Sequence, residues 1–205
     1  FVKNCIGAAI KNGASYFEIG YRNRFDTEGK GKFYRCTPEL IKPFFAVKKN
    51  LKIGVMTDIS RFDEKDFKNA EFDFVDFVRI ATHPDKIETA LQAAYLLHSR
   101  GYKIFLQLME IPNVSQIHYE MLKKWKHKDI LESLYIADSY SNVKPQDMEK
   151  YFSKLKESGY KKISFHAHNG QGLAHKNTMQ AAALGAYSVD ASQKGLGGNL
   201  DLSLI

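Results

Sequence analysis

The sequence predicts an α/β fold: a (β/α)8 (TIM) barrel of parallel strands, lacking its first strand and last helix within this chain. Three observations predict it. The apolar period switches repeatedly between two and 3.6 residues. The switch recurs about every 25–35 residues with no Pro/Ser-rich linker, the rhythm of parallel strands joined by crossover helices. Glycines 13, 101, 159 and 185 each follow a helical stretch, where a left-handed residue ends a helix.

In chain order, a helix is expected at 4–12 and a strand at 16–20, then a helix at 38–49 opened by Pro38 behind Thr37. A strand at 51–55 precedes a weaker helical stretch at 63–70. A strand at 74–80 and a helix at 84–100 follow, then a strand at 103–109 and a helix at 115–126. Next come a strand at 134–138, a helix at 145–158, a strand at 162–166, a helix at 173–184 and a seventh strand at 187–191. Pro84 and Pro145 sit at first-turn positions. A barrel takes about 250 residues, so one strand before Phe1 and one helix after Ile205 would complete it. A doubly wound open sheet is the alternative. It usually shows a glycine-rich phosphate turn after its first strand, which is not found here. The Gly29–Gly31 stretch is flanked by charges and reads as a flexible loop.

Composition fits one globular domain over 1–205. The 205 residues are 44% hydrophobic and 26% charged, which excludes collagen, low complexity and a disulfide scaffold. No run of about 18 apolar residues predicts a membrane span, and there is no secretory start. Cys5 and Cys36, without metal-type spacing, read as reduced thiols of a cytoplasmic protein. The net charge of +7 raises nucleic acid as a partner. The lysines are dispersed, however, and the densest group (Lys123, Lys124, Lys126, Lys128) is expected on a helix among Glu120, Asp129 and Glu132. It reads as a solvated face, with no nucleic-acid partner.

Strand parity locates the polar residues. Barrel strands alternate inward and outward, and chemistry gathers at their C-terminal ends. Phe17 and Ile19 suit the helix layer, so Glu18 points inward; likewise Arg79 between Val78 and Ile80, and Gln107 between Leu106 and Leu108. Asp138 and Ser139 end their strand. Ser164, His166 and His168 face in, as do Ser188, Asp190 and Ser192. So many buried polar groups would be costly unless they line a wet mouth. Glu18 and Arg79 are therefore expected on the substrate side.

His166 and His168, at i and i+2, share one strand face, so both imidazoles project together. Two neutral imidazoles make half of a first-row divalent metal site. Asn169 and the turn Gly170–Gly172 follow directly. Amidohydrolase-type enzymes carry His-x-His on the first strand of a barrel; here it lies on the penultimate one, against that class. His98, His118 and His127 read as helix-surface residues, His175 as a neighbour of the pair, and His83 as a strand-end residue on the substrate side.

The segments FVRIATHPD (77–85), LYIADSYSNVKPQDM (134–148) and FHAHNGQGLAHKNTMQAAALGAYSVDASQKGLGGNLDLSL (165–204) resemble the metal-dependent lyase barrels. That superfamily includes 4-hydroxy-2-oxovalerate aldolase, hydroxymethylglutaryl-CoA lyase, and the isopropylmalate and citramalate synthases. The pattern is closest to the aldolase branch. The resemblance implies a divalent metal, Mn2+ or Mg2+, on His166 and His168, with Asn199 approaching it. It implies that Ser139 and His166 contact a 2-oxo acid. The Arg-Asp pair and the base belong to the first strand, so the resemblance assigns no catalytic residue within this chain. The Gly195–Leu200 stretch is shorter than the family's usual one, and no cysteine stands beside Gly197 and Gly198, which disfavours acyl-CoA lyase activity.

The implied function is cleavage or formation of a C–C bond in a 4-hydroxy-2-oxo acid, releasing pyruvate or a similar 2-oxo acid. A Claisen-type acyl-CoA condensing enzyme and an inactive barrel serving as a binding module are the alternatives. The implied partners are a small anionic 2-oxo acid, with room for a homo-oligomer and an aldehyde dehydrogenase.

Overall fold

A computed structural model describes residues 1–24 and 29–204. Six parallel strands pair in sequence order: β1 Tyr16–Tyr21, β2 Lys52–Asp58, β3 Phe77–Thr82, β4 Lys103–Leu108, β5 Leu131–Ala137 and β6 Ile163–His166. They form a curled half-barrel. Helix α1 Val2–Lys11 precedes β1; α2 Pro38–Phe45, α3 Ile87–Ser99, α4 Gln116–Lys124 and α5 Met148–Glu157 lie between strands in the chain; α6 Ala174–Ala183 follows β6.

Outward residues such as Ile53, Val55, Val78, Ile80, Ile104, Leu106, Leu134, Ile136 and Phe165 are fully buried against the helix layer. Each such side chain contributes about 1.5–3 kcal/mol of burial. Gly13, Gly101, Gly159 and Gly185 have φ of 72°, 92°, 92° and 83°, the left-handed conformation expected after each helix. Thr37 Oγ1 accepts from the Leu40 amide and caps α2.

The inner face has its own core. Phe77, Phe105 and Tyr135 are buried there, with Tyr16 packed on them. Tyr16 meets Phe105 and Phe77 edge-on at 5.0 and 5.5 Å, and Phe77 meets Phe105 at 5.1 Å. A methyl group on Gly54 would overlap the Phe77 ring, so only glycine fits opposite it. This aromatic layer is the floor beneath the polar mouth. At the N-terminal rim a bulge in the β4–β5 register falls at Glu132, which joins Lys103, Lys162 and Tyr187.

Several sequence expectations are corrected. The stretch 187–191 makes one parallel bridge, Phe165 to Val189, instead of a seventh strand; among the described residues its backbone pairs with β6 alone. β3 begins at Phe77, not residue 74, because Phe74 has φ 56° and breaks the extended run. The stretch 63–70 forms 3-10 turns, Glu64–Asp66 and Ala70–Phe72, in place of a helix. A buried Arg22–Asp73 ion pair, joined by the Tyr102 hydroxyl, fills that part of the layer. α2 stops at Phe45. Lys126 and Lys128 lie beyond α4, and Lys128 Nζ donates to the Lys123 carbonyl at 2.6 Å and to that of Trp125. His127 is off the helix as well, its ring tilted against that of Tyr95 with centroids 4.6 Å apart. Among the described residues, no helix is long and apolar enough to cross a membrane.

Candidate active site

The polar residues converge at the C-terminal strand ends, one inward position beyond the aromatic floor. Arg79 on β3 is the hub. Its Nε lies 3.0 Å from Glu18 Oε2 on β1. One terminal nitrogen donates to Gln107 Oε1 on β4 at 3.0 Å, and the guanidinium engages both oxygens of Asp190. Its carbon sits 4.2 Å over the Tyr135 ring on β5. A single buried cation thus ties β1, β3, β4 and β5 to the 187–191 segment.

Asp190 also accepts from His166 Nδ1 at 2.8 Å. Burial pushes the Asp190 carboxyl up, but Arg79 and His166 outweigh it and hold it well below the usual carboxylate range. Glu18 goes the other way: burial raises its carboxyl more than Arg79 lowers it.

His168 Nδ1 lies 3.1 Å from the Asp138 carbonyl and 3.2 Å from that of Ser139. Carbonyls and carboxylates only accept, so Nδ1 of each imidazole donates, and the neutral form of each ring has a bare Nε2. Their ring centroids are 4.9 Å apart with planes at 88°. Burial, and then His166, lower the His168 pKa, which favours the neutral ring.

Asn199 meets this pair. It forms an antiparallel bridge with His168, and its Nδ2 donates to the Leu196 carbonyl at 3.0 Å. Its Oδ1 is buried without a hydrogen-bond partner. An orphaned buried acceptor on the residue bridged to His168 suits a cation. Those three neutral donors fit a divalent ion as part of a coordination shell. Among the described residues, no cluster of three or more His, Cys, Asp or Glu is arranged to hold a metal.

The sequence-derived residues thus fall into two joined groups: Glu18, Arg79 and His166 around Asp190, and His168 with Ser139 and Asn199. Ser139 Oγ accepts from the Glu110 amide at 2.9 Å. Asp138 caps its own loop instead, accepting from the Asn142 and Val143 amides. His175 is exposed on α6. Sequence reading missed Glu110, which meets both Tyr140 and His83 at the rim, and Tyr140 itself. The signal available was an acid directly past a strand end, in QLME.

Fold and site together define a parallel α/β half-barrel with a polar, histidine-bearing mouth at its C-terminal strand ends. Residues 107–204, just under half of the chain, match the HMGL-like family. It is similar to a 4-hydroxy-2-oxovalerate aldolase of Geobacillus genomosp. 3, 30% identical over 159 residues, covering 78% of this chain and 47% of that protein. It is also similar to an oxaloacetate decarboxylase of Mycobacterium tuberculosis, 22% identical over 200 residues, covering 96% and 58%. Among solved structures, the N-terminal domain of a Bacteroides vulgatus protein assigned as an aldolase superposes with a TM-score of 0.84 at 23% identity. That match covers 98% of this chain and 69% of the other, and shows the shared fold. The chain spans about half the length of the curated relatives it matches.

Proposed function

We propose that the full protein is a divalent-metal-dependent lyase that cleaves or forms the C–C bond of a 4-hydroxy-2-oxo acid, with pyruvate as the 2-oxo acid released. What supports this reading is the pair His166 and His168, each with its Nδ1 engaged, together with the unpartnered Oδ1 of Asn199, the residue bridged to His168. These three would hold Mn2+ or Mg2+. The bound cation would supply Lewis-acid stabilisation of the charge that develops on the 2-oxo group.

The chain's own residues do the rest. Asp190 and the Asp138 and Ser139 carbonyls orient the two imidazoles. Arg79, paired with Asp190 and flanked by Glu18, fixes the carboxylate that orients His166. Ser139 and Glu18 stand on the substrate side. The aromatic floor of Tyr16, Phe77, Phe105 and Tyr135 closes the mouth from below. The cytoplasm is the expected compartment.

Decarboxylation of oxaloacetate is a second reading, favoured by the relative so named, whose match covers 96% of this chain. Both reactions break a bond to C3 of a 2-oxo acid and leave the enolate of pyruvate. The test is bound metal and pyruvate release by the full-length protein, from 4-hydroxy-2-oxo acids and from oxaloacetate. His166→Ala and His168→Ala should each abolish metal and turnover; unchanged metal content overturns the site.

A further inference from the structure

We propose that His83, oriented by Glu110, carries the proton to and from C3 of the pyruvate enolate at this mouth. The inference rests on the pyruvate-releasing reading above. His83 directly follows β3 and has the inward parity of Arg79. Its ring is 40% exposed, and its Nδ1 is 2.9 Å from Glu110 Oε1. The carboxylate accepts, so Nδ1 carries the proton and Nε2 is free to take one.

Glu110 is held by groups from neighbouring strand ends. The Tyr140 hydroxyl, just beyond β5, donates to Oε1, and Asn113 Nδ2 donates to Oε2 at 3.1 Å. The Tyr140 bond, foremost, keeps the carboxyl below its usual range, and so an acceptor. The Glu110 backbone is left-handed, φ 53° and ψ 47°, a conformation that a non-glycine residue keeps only when its surroundings enforce it. Its amide donates to Ser139 Oγ at 2.9 Å, and the Ser139 carbonyl accepts from His168 Nδ1 at 3.2 Å. One residue therefore joins the His83–Glu110 pair to the imidazole pair. An imidazole aimed by a carboxylate, at the open rim, is the arrangement of a general acid–base.

The step balances. Aldol cleavage and decarboxylation both leave the broken bond's electron pair on C3, delocalised onto the C2 oxygen. Imidazolium His83 gives its Nε2 proton to C3, the C2 carbonyl re-forms, and neutral imidazole remains to be recharged from solvent. In reverse, Nε2 removes a methyl proton from pyruvate. No oxidant or further reactant takes part.

The test is hydrogen–deuterium exchange of the pyruvate methyl group, followed by NMR in D2O with full-length protein and Mn2+ or Mg2+. His83→Gln should slow exchange about 100-fold. Oxalate, which resembles the enolate, should bind the variant within about threefold of wild type, and thermal melting should not move. Glu110→Gln should leave the His83 ring as mixed tautomers in nitrogen-15 spectra, where the wild type shows a proton on Nδ1 alone. Exchange by His83→Gln within about threefold of wild type overturns the inference, as does a wild-type His83 protonated on Nε2 alone. A wild type that releases pyruvate while His83→Gln exchanges normally overturns this inference only. A wild type that neither releases pyruvate nor exchanges its methyl protons overturns both this and the proposed function.

Discussion

Asp190 shares one carboxylate between two partners: its Oδ2 accepts from His166 Nδ1 at 2.8 Å and is also engaged by Arg79. That atom couples the charged hub of the half-barrel to the imidazole pair. A group behind a ligand histidine fixes its tautomer and ring direction, and removing such a group costs about 10–100-fold in metal affinity. Asp190→Asn should weaken Mn2+ binding by that factor, read by titration of the full-length protein. Removing the carboxylate also strands the buried Arg79 with Glu18 alone, so Asp190→Ala should lower stability by about 3 kcal/mol in urea unfolding.

Glu132 predicts a pH dependence. Burial pushes its carboxyl up, but the Tyr187 hydroxyl, Lys103 and Lys162 outweigh this and bring the pKa down to about 2 from 4.5. A carboxyl depressed in the folded state adds stability that is complete above its unfolded pKa and lost as pH falls through the folded one. Glu132→Gln should therefore be less stable than wild type at pH 7, by about 1 kcal/mol after solvent screening. The gap should close between pH 4.5 and pH 2, as urea midpoints across that range would show. A gap that persists unchanged at pH 2 contradicts the assignment.

The aromatic floor should tolerate neither loss nor gain of volume. Phe105→Ala should cost about 3–5 kcal/mol by opening a cavity at the centre of the inner layer. Gly54→Ala should also destabilise, because its methyl overlaps the Phe77 ring. Thermal melts of the two variants check both.

Asp73→Ala should be among the most damaging changes outside the mouth. It leaves Arg22, only 2% exposed, with an uncompensated charge and the buried Tyr102 hydroxyl without that partner. The expected loss is about 3–5 kcal/mol, measured by chemical denaturation.

Most of the fold was legible in the chain because it is written in local rules. Period-two runs such as 103–109 and the glycines after the helices need nothing distant to be read. The errors fall where local rules conflict with contacts or with a backbone angle. Phe74 is apolar and strand-like, yet its φ of 56° excludes it from β3. The stretch 63–70 has helical spacing but forms short turns beside a buried ion pair between residues 51 positions apart.

The site divides the same way. Parity alone put Glu18, Arg79, His166, His168 and Asp190 on one face, since side-chain direction along a strand follows from the backbone. The partners of those residues came only from the tertiary structure. Arg79 meets Asp190 across 111 positions, and Glu110 turns toward His83 through a left-handed backbone. Alternation along an extended chain is a short-range property that the sequence carries by itself. Which charges touch, and which nitrogen of an imidazole stays bare, is decided when the sheet curls and brings distant strand ends within hydrogen-bonding distance.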